Sequence, residues 1–402
     1  MNLNIRVDWG NKINMSWWVN NNNLSEKQVH ILNSLLNHDS NKVCWLKGFP
    51  GTGKTLLLTH LLVKLSALNP ETSICYITYT NSLVELVKTS PDINLSKINI
   101  MTNYNFISQN KVYDYVMLDE IQDLDKDRLF KIKKLSKKIF ITGDFDQQIF
   151  QKNFTYEDLT DLIIVQEYEL FEIFRLTRNI FDIAISIKPD AHIVEGLEIK
   201  NTNANSGVKL VQAANVTVEY EWVWTEALRN SRPGNPSVIL FPNNTLIYEF
   251  SKSVAHLSGL KPPPKPNKFR NRFSYSSFNE FWKLNNVKLM YLGGSYGNLK
   301  ESDHKQVVYL MSYFSSKGLD FRNVFIPNLN YNLHISPNYD LENPDLDINL
   351  LFVAVTRSRQ NLFLSYSTNL CHQLISNIPN NYYDTIFIDN NYLTNQKEVS
   401  FF

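Results

Sequence analysis

The sequence predicts an α/β fold in two domains, on three observations. The chain has 402 residues, past the length at which a single hydrophobic core keeps growing. From Val43 to Thr142 short apolar runs alternate with amphipathic stretches, the pattern of a parallel sheet covered on both faces. After Phe150 the same rhythm starts again.

In the first stretch, Val43–Leu46, Ile74–Thr78, Val116–Leu118 and Ile139–Thr142 read as buried strands, rich in β-branched residues and closed by turn chemistry. Thr55–Leu68, Ser82–Lys88 and Lys126–Ser136 read as the helices between them. In the second stretch, Ser237–Phe241, Val307–Met311, Val324–Ile326 and Leu362–Ser365 read as strands. Helices are expected at Thr177–Ile187, Val218–Arg229, Thr245–Leu257 and Leu346–Val355. Lys261–Trp282 opens with a proline cluster that forbids regular structure and mixes basic with aromatic residues, so it reads as a surface excursion. The expected organisation is an N-terminal extension over 1–23, a first domain over 24–155, a second over 156–392 with a small insertion near 261–300, and a tail over 393–402.

Composition narrows the classes. A hydrophobic fraction of 43% and a charged fraction of 20% are ordinary for a globular protein, and the net charge of +1 leaves no global basic field to recruit nucleic acid. Any such binding must come from a local groove. Cys44, Cys75 and Cys371 form no CxxC pair, which argues against a disulfide framework or a cysteine-rich zinc site and suits a reducing cytoplasm. Cys44 and Cys75 sit in apolar runs and are expected to be buried. The Asn-rich N-terminus, with Trp9, Trp17 and Trp18, lacks the pattern of a signal peptide, and no run of about 18 apolar residues suggests a membrane span.

The strongest local signal is Gly48-Phe-Pro50-Gly51-Thr52-Gly53-Lys54-Thr55, between a strand and a helix. Glycines let backbone N–H groups converge on phosphate oxygens, and the helix N-terminus adds a favourable dipole. Lys54 is placed to neutralise phosphate charge and Thr55 to hold Mg²⁺. Val116-Met-Leu-Asp119-Glu120 ends a buried strand in two carboxylates at the edge where this loop opens. Asp119 suits the metal and Glu120 suits a base acting on water, so the pattern reads as an ATP hydrolase.

On either side of these residues lie motifs that resemble those of the superfamily 1 DNA helicases of the UvrD/Rep-like branch. Leu24-Ser-Glu-Lys-Gln28 resembles their Q motif and Tyr79-Thr-Asn81 the core of motif Ia. Asp119-Glu-Ile-Gln-Asp123 resembles motif II, and Gly143-Asp-Phe-Asp-Gln147-Gln-Ile-Phe150 motif III. Leu170 through Thr177 resembles motif IV, Ser312 through Phe321 motif V, and Leu351 through Ser358 motif VI. The series runs in order from Leu24 to Arg359. It implies two RecA-like domains with an ATP cleft between them. It also implies that Gln28 recognises adenine with Phe174 stacking on it, and that Gly318 and Asp320 of motif V border the nucleotide. Gln147 would sense the γ-phosphate, and Arg175 and Arg357 would reach in as arginine fingers.

Departures gather on the nucleic-acid side. Where the family usually has a stacking Trp after motif III, this chain has Lys152, and Phe150 or Phe154 is the expected substitute. Tyr79, Asn81 and Thr102 are the resemblance-based DNA contacts. Lys268 and Arg270, with Phe269, Phe273 and Tyr275 nearby, read as a nucleic-acid or partner surface. The Lys126–Lys138 cluster reads as a solvated helix face. The Asn81–Asp119 and Arg178–Val307 intervals leave no room for large accessory subdomains. The expected activity is therefore a minimal ATP- and Mg²⁺-dependent helicase or translocase on single-stranded or partly duplex DNA, moving 3′ to 5′. The alternative is an ATPase switch that works with a protein partner, such as a nuclease or a defence or repair subunit.

Overall fold

The computed structural model describes residues 18–38, 43–68, 70–94, 96–150, 154–202, 207–269, 272–336 and 345–399. The first sheet has strands β1 (Val43–Gly48), β2 (Ile74–Thr78), β3 (Ile98–Thr102), β4 (Tyr113–Leu118), β5 (Ser136–Thr142) and β6 (Val165–Leu170), ordered β3-β2-β4-β5-β1-β6. Every pairing in it is parallel. Helices α1 (Glu26–Leu36), α2 (Lys54–Leu68) and α3 (Asn81–Lys88) cover one face. The helices α4 (Asn103–Gln109), α5 (Lys126–Lys134) and α6 (Tyr156–Leu162) cover the other. Within β1, Cys44 and Leu46 join one apolar cluster while Val43 and Trp45 join the opposite one, so both faces of the strand are buried.

A short parallel ribbon of β7 (Glu172–Ile173) and β8 (Glu198–Ile199) follows, with α7 (Arg178–Ile187) between them. The second sheet comprises β9 (Gly207–Ala213), β10 (Ser237–Phe241), β13 (Leu289–Tyr291), β14 (Val308–Ser312), β15 (Phe321–Ile326), β16 (Ser358–Tyr366) and β17 (Asp384–Ile388). Between β10 and β13 lies a hairpin of β11 (Asn267–Phe269) and β12 (Arg272–Ser274). The second sheet is ordered β13-β14-β10-β15-β16-β9-β17 and is again parallel throughout. Helices α8 (Val216–Asn230), α9 (Asn244–Leu257) and α10 (Ser276–Leu284) pack on one face. On the other lie α7, the one-turn α11 (Tyr313–Ser316) and α12 (Leu346–Val355). The intervals Asn81–Asp119 and Arg178–Val307 are taken up by these core elements, as their lengths predict.

Three expectations need correction. The first sheet does not end at residue 155, because β6 pairs with β1 from Val43↔Val165 to Gly48↔Leu170. Its sequence, VQEYEL, is too polar to read as a buried strand, since an edge strand needs only one covered side. Lys261–Trp282 is not wholly a surface excursion: Tyr275, Phe278 and Trp282 are fully buried, and Tyr275 stacks on Tyr291 at 3.4 Å. Tyr275 is therefore core and has no free face for a base. The N-terminal extension is part of the first domain from residue 18 on. Trp18 stacks on His60 of α2 and its Nε1 donates to Asp92, while the carbonyl of Val19 bonds to His60 Nε2. Trp9, Trp17, Lys152 and Arg270 lie outside the described residues, as does the side chain of Lys268.

Candidate nucleotide site and interdomain cleft

All strands of a parallel sheet point their carboxyl ends the same way, so β1, β4 and β5 deliver their following loops to one edge. After β1 the chain turns through Gly48, Gly51 and Gly53 into α2. Gly51 has φ +85°, and a Cβ there would sit 2.5 Å from the Cβ of Arg175. Glycine is thus required both by the backbone and by the approach of the second domain. Phe49 anchors the loop from outside its own domain, packing on Phe181 and Phe352 at 5.2 and 5.7 Å.

Lys54 Nζ donates to the carbonyls of Gly48 (2.6 Å) and Phe49 (3.3 Å), and burial lowers its pKa. Thr55 Oγ1 donates to Asp119 Oδ2 at 2.8 Å, and Tyr76 donates to the same oxygen at 2.8 Å. Thr142, at the end of β5, bonds the other oxygen of Asp119. Burial and the adjacent Glu120 carboxylate push the Asp119 carboxyl up. A hydroxyl and a carboxylate side by side form an oxygen set suited to Mg²⁺.

Glu120 follows in the left-handed region (φ 59°, ψ 51°), a costly conformation for a residue with a Cβ and one found mainly at functional sites. It turns the carboxylate out of the strand direction and into the cleft. Burial works against its charge, but Lys317, Lys54, a hydrogen bond from Gln122 and Arg357 outweigh it, so the carboxyl lies below its ordinary value and is ionised.

The second domain closes over this edge. Arg357, 1% exposed, donates from Nη2 to Gln147 Oε1 (3.1 Å) and from Nη1 to the Leu319 carbonyl (3.1 Å). Burial and Arg175 oppose its charge, while Glu120, Asp320 and Asp144 sustain it. Arg175 Nε lies 2.9 Å from Asp320 Oδ2, and Arg359 Nε lies 3.2 Å from Oδ1. Flanked by three arginines, the Asp320 carboxyl stays below its ordinary range despite burial. The Phe174 amide donates to the Gly51 carbonyl at 3.0 Å.

A cavity of about 250 Å³ lies between the domains. Of the residues singled out in the sequence, Gln28, Pro50, Gly51, Gly53, Lys54, Thr55, Glu120, Gln147, Phe174, Arg175, Gly318, Asp320 and Arg357 line it. Gly48 and Thr52 support it from behind; the Thr52 hydroxyl donates to the Phe49 carbonyl at 2.9 Å. Asp119 is reached through Thr55. Residues to which the sequence motifs assign no role also belong here: Val19, Asn23 and Arg359 line the cavity. Lys317, 1% exposed, crosses from motif V to Asp123 Oδ2 (2.6 Å) and to the Gln147 carbonyl (2.5 Å). Its signal was its place in the SKG turn of that motif, but its partner is set only by folding.

Among the residues the sequence suggests for nucleic-acid contact, Tyr79 packs on Phe150 at 4.4 Å and Phe150 on Phe314 at 5.5 Å, an aromatic row that crosses from the first domain to the second. Asn81 Nδ2 reaches Ser295 Oγ at 3.5 Å. Thr102 is buried at the start of α4, whereas its neighbour Tyr104 is exposed beneath the Arg128 guanidinium at 4.4 Å. Phe154 is buried in the first-domain core and is not a substitute stacking ring. In the basic cluster, Lys126 pairs with Asp158, Arg128 with Asp125 and Lys137 with Asp114. Among the described residues no helix is long and apolar enough to cross a membrane.

Comparisons with known proteins bear on this arrangement. Residues 33–153 match a family model described as an AAA domain, and residues 267–369 match the UvrD-like helicase C-terminal domain. The chain is similar to "Putative ATP-dependent DNA helicase R568" of Acanthamoeba polyphaga mimivirus, 25% identical over 273 residues, covering 65% of this chain and 35% of that protein. It thus spans about a third of the length of that relative. Among solved structures it is similar to the Pif1 helicase from Candida albicans (13% identity, TM-score 0.45, covering 94% of this chain and 99% of that one). It is also similar to Arterivirus nonstructural protein 10 (helicase) with DNA (14% identity, TM-score 0.39, 84% and 63% covered).

Proposed function

We propose that the chain is a superfamily 1 helicase of the UvrD/Rep-like kind, on the matches of residues 33–153 and 267–369, and that it hydrolyses ATP to move along single-stranded DNA in the 3′-to-5′ sense. The observation that carries the proposal is the convergence of both domains on one cleft. Glu120 and Lys54 come from one side and Arg175 and Arg357 from the other, around a shared cavity.

In the reaction, the P-loop amides and Lys54 hold the phosphates. Thr55 and Asp119 would hold Mg²⁺, which would supply positive charge to offset that of the phosphates. Glu120, ionised and buried, takes the proton of the attacking water as its oxygen bonds to the γ-phosphorus and the bond to the ADP oxygen breaks. Arg175 and Arg357 stabilise the charge that develops on the transferring group. Gln147 bonds Arg357 through its side chain and Lys317 through its carbonyl. Three residues further on, Phe150 enters the aromatic row that would stack bases. The segment from Gln147 to Phe150 therefore supports coupling of phosphate state to DNA grip, and cleft opening on product release would move one domain relative to the other along the strand. Buried free thiols at Cys44 and Cys75 support action in a reducing cytoplasm.

Steady-state ATPase with and without single-stranded DNA tests the reading. Strong stimulation is expected, together with faster displacement of strands bearing a 3′ tail than a 5′ tail. ATP turnover indifferent to any nucleic acid would overturn the motor, and stimulation with 5′-tail preference would overturn the polarity.

A further inference from the structure

Resting on the ATP reading above, we propose that Glu172 is a positioning residue for base recognition. Acting through Ser25, it fixes the orientation of the Gln28 carboxamide that distinguishes adenine from guanine.

The Gln28 side chain is buried at the mouth of the cavity. Its Oε1 accepts from the Ser25 amide at 3.2 Å and its Nε2 donates to the Thr52 carbonyl at 3.2 Å. Rotating the amide by half a turn would set NH₂ against N–H and oxygen against carbonyl, two repulsive contacts in a buried place, so one orientation is enforced. That orientation leaves one N–H and one oxygen lone pair for a base. Adenine complements them with N7 as acceptor and N6 as donor, whereas guanine offers acceptors at both positions.

Ser25 caps α1 and completes a capping box with Gln28: its Oγ accepts from the Gln28 amide at 3.1 Å. That leaves the hydroxyl proton, which goes to the Glu172 carboxylate. Glu172 is itself 6% exposed and pairs with Lys200 at 3.3 Å. A second tie runs beside the first, from Lys27 of α1 to Glu198 of β8 at 2.6 Å. The β7–β8 ribbon thus sets where α1 begins, and Glu172 lies two residues before Phe174 at the same cavity. One short segment positions both the edge-reading amide and the ring that would cover the base.

The test is equilibrium binding of fluorescent ADP and GDP to the full chain, with thermal unfolding recorded alongside. Wild type should favour ADP. Glu172→Ala should narrow the ADP-over-GDP preference about tenfold, as expected when a polar recognition group loses its alignment. Ser25→Ala should do the same, the double variant should be no worse than either single one, and Glu172→Gln should restore much of the preference by accepting the same hydroxyl. If Glu172→Ala weakens both nucleotides equally, or leaves the ratio unchanged, the residue is merely structural and the proposal is overturned. Wild type binding both purines alike overturns it too. Wild type binding neither would overturn the nucleotide reading, and this inference with it.

Discussion

Lys317 Nζ of the second domain lies 2.6 Å from Asp123 Oδ2 of the first, with both side chains almost fully removed from solvent. The same ammonium is 3.6 Å from Glu120 Oε2, so one cation of the second domain is shared by two carboxylates of the first. Loss of one member of such a pair leaves an uncompensated buried charge.

Lys317→Met should therefore act on stability and turnover together. We expect a destabilisation of about 3–5 kcal/mol in urea unfolding, the usual cost of breaking a buried pair, and a fall in ATP turnover as Glu120 loses its charge partner. An unchanged unfolding midpoint would show that Asp123 and Glu120 find other compensation.

The pair also predicts a pH response. Burial, with a smaller contribution from Glu120 and opposed by Lys317, pushes the Asp123 carboxyl up to about 6. A folded value above the unfolded one means the native state holds the proton more tightly. The stabilisation is complete below the unfolded carboxyl value of about 4 and is lost as pH rises through about 6. Asp123→Asn carries a constant cost for leaving Lys317 without this partner, but its stability difference from wild type should shift in the variant's favour between about pH 4 and 6 and level off above. A difference that is flat across this window would refute the assignment.

Glu120→Gln keeps the shape of the side chain and removes the proton acceptor. Turnover should fall by about 10²–10⁴-fold while ADP binding changes little. Stopped-flow hydrolysis and nucleotide titration, run in parallel, separate the two effects.

Arg357→Lys retains charge but loses the planar fork that reaches Gln147, Leu319 and Val353 together. We expect a drop in kcat of about 10³-fold or more. Equal losses for Arg357→Lys and Arg357→Ala would identify the fork geometry, rather than charge, as what matters.

Phe150→Ala removes the middle ring between Tyr79 and Phe314. Single-stranded DNA binding, followed by anisotropy, should weaken by about 1–3 kcal/mol, the worth of one base–aromatic stack. Undiminished affinity would move the strand path away from this row.

Where a strand is buried on both faces, the sequence announces it: Ile74–Thr78, Ser237–Phe241 and the helix Leu346–Val355 lie where their apolar runs end. Strands at or near an edge were not legible. Ile98–Thr102, Val165–Leu170 and Asp384–Ile388 carry polar or exposed residues because one side needs no partner strand. The segment after the prolines misled for a related reason. Basic and aromatic residues at 268–275 look like surface, yet Tyr275, Phe278 and Trp282 turn inward to fill the second core.

For the site, the sequence alone pointed to the phosphate loop and the carboxylate pair through local chemistry at a strand end or helix start, and to Arg175 and Arg357 only through the motif resemblance. Tertiary structure decided which groups meet. Lys317 lies 194 residues from Asp123, Glu172 lies 147 from Ser25, and Phe49 sits among rings of the other domain. Such pairings depend on how two parallel sheets face each other across a cleft, and no spacing along the chain encodes that distance.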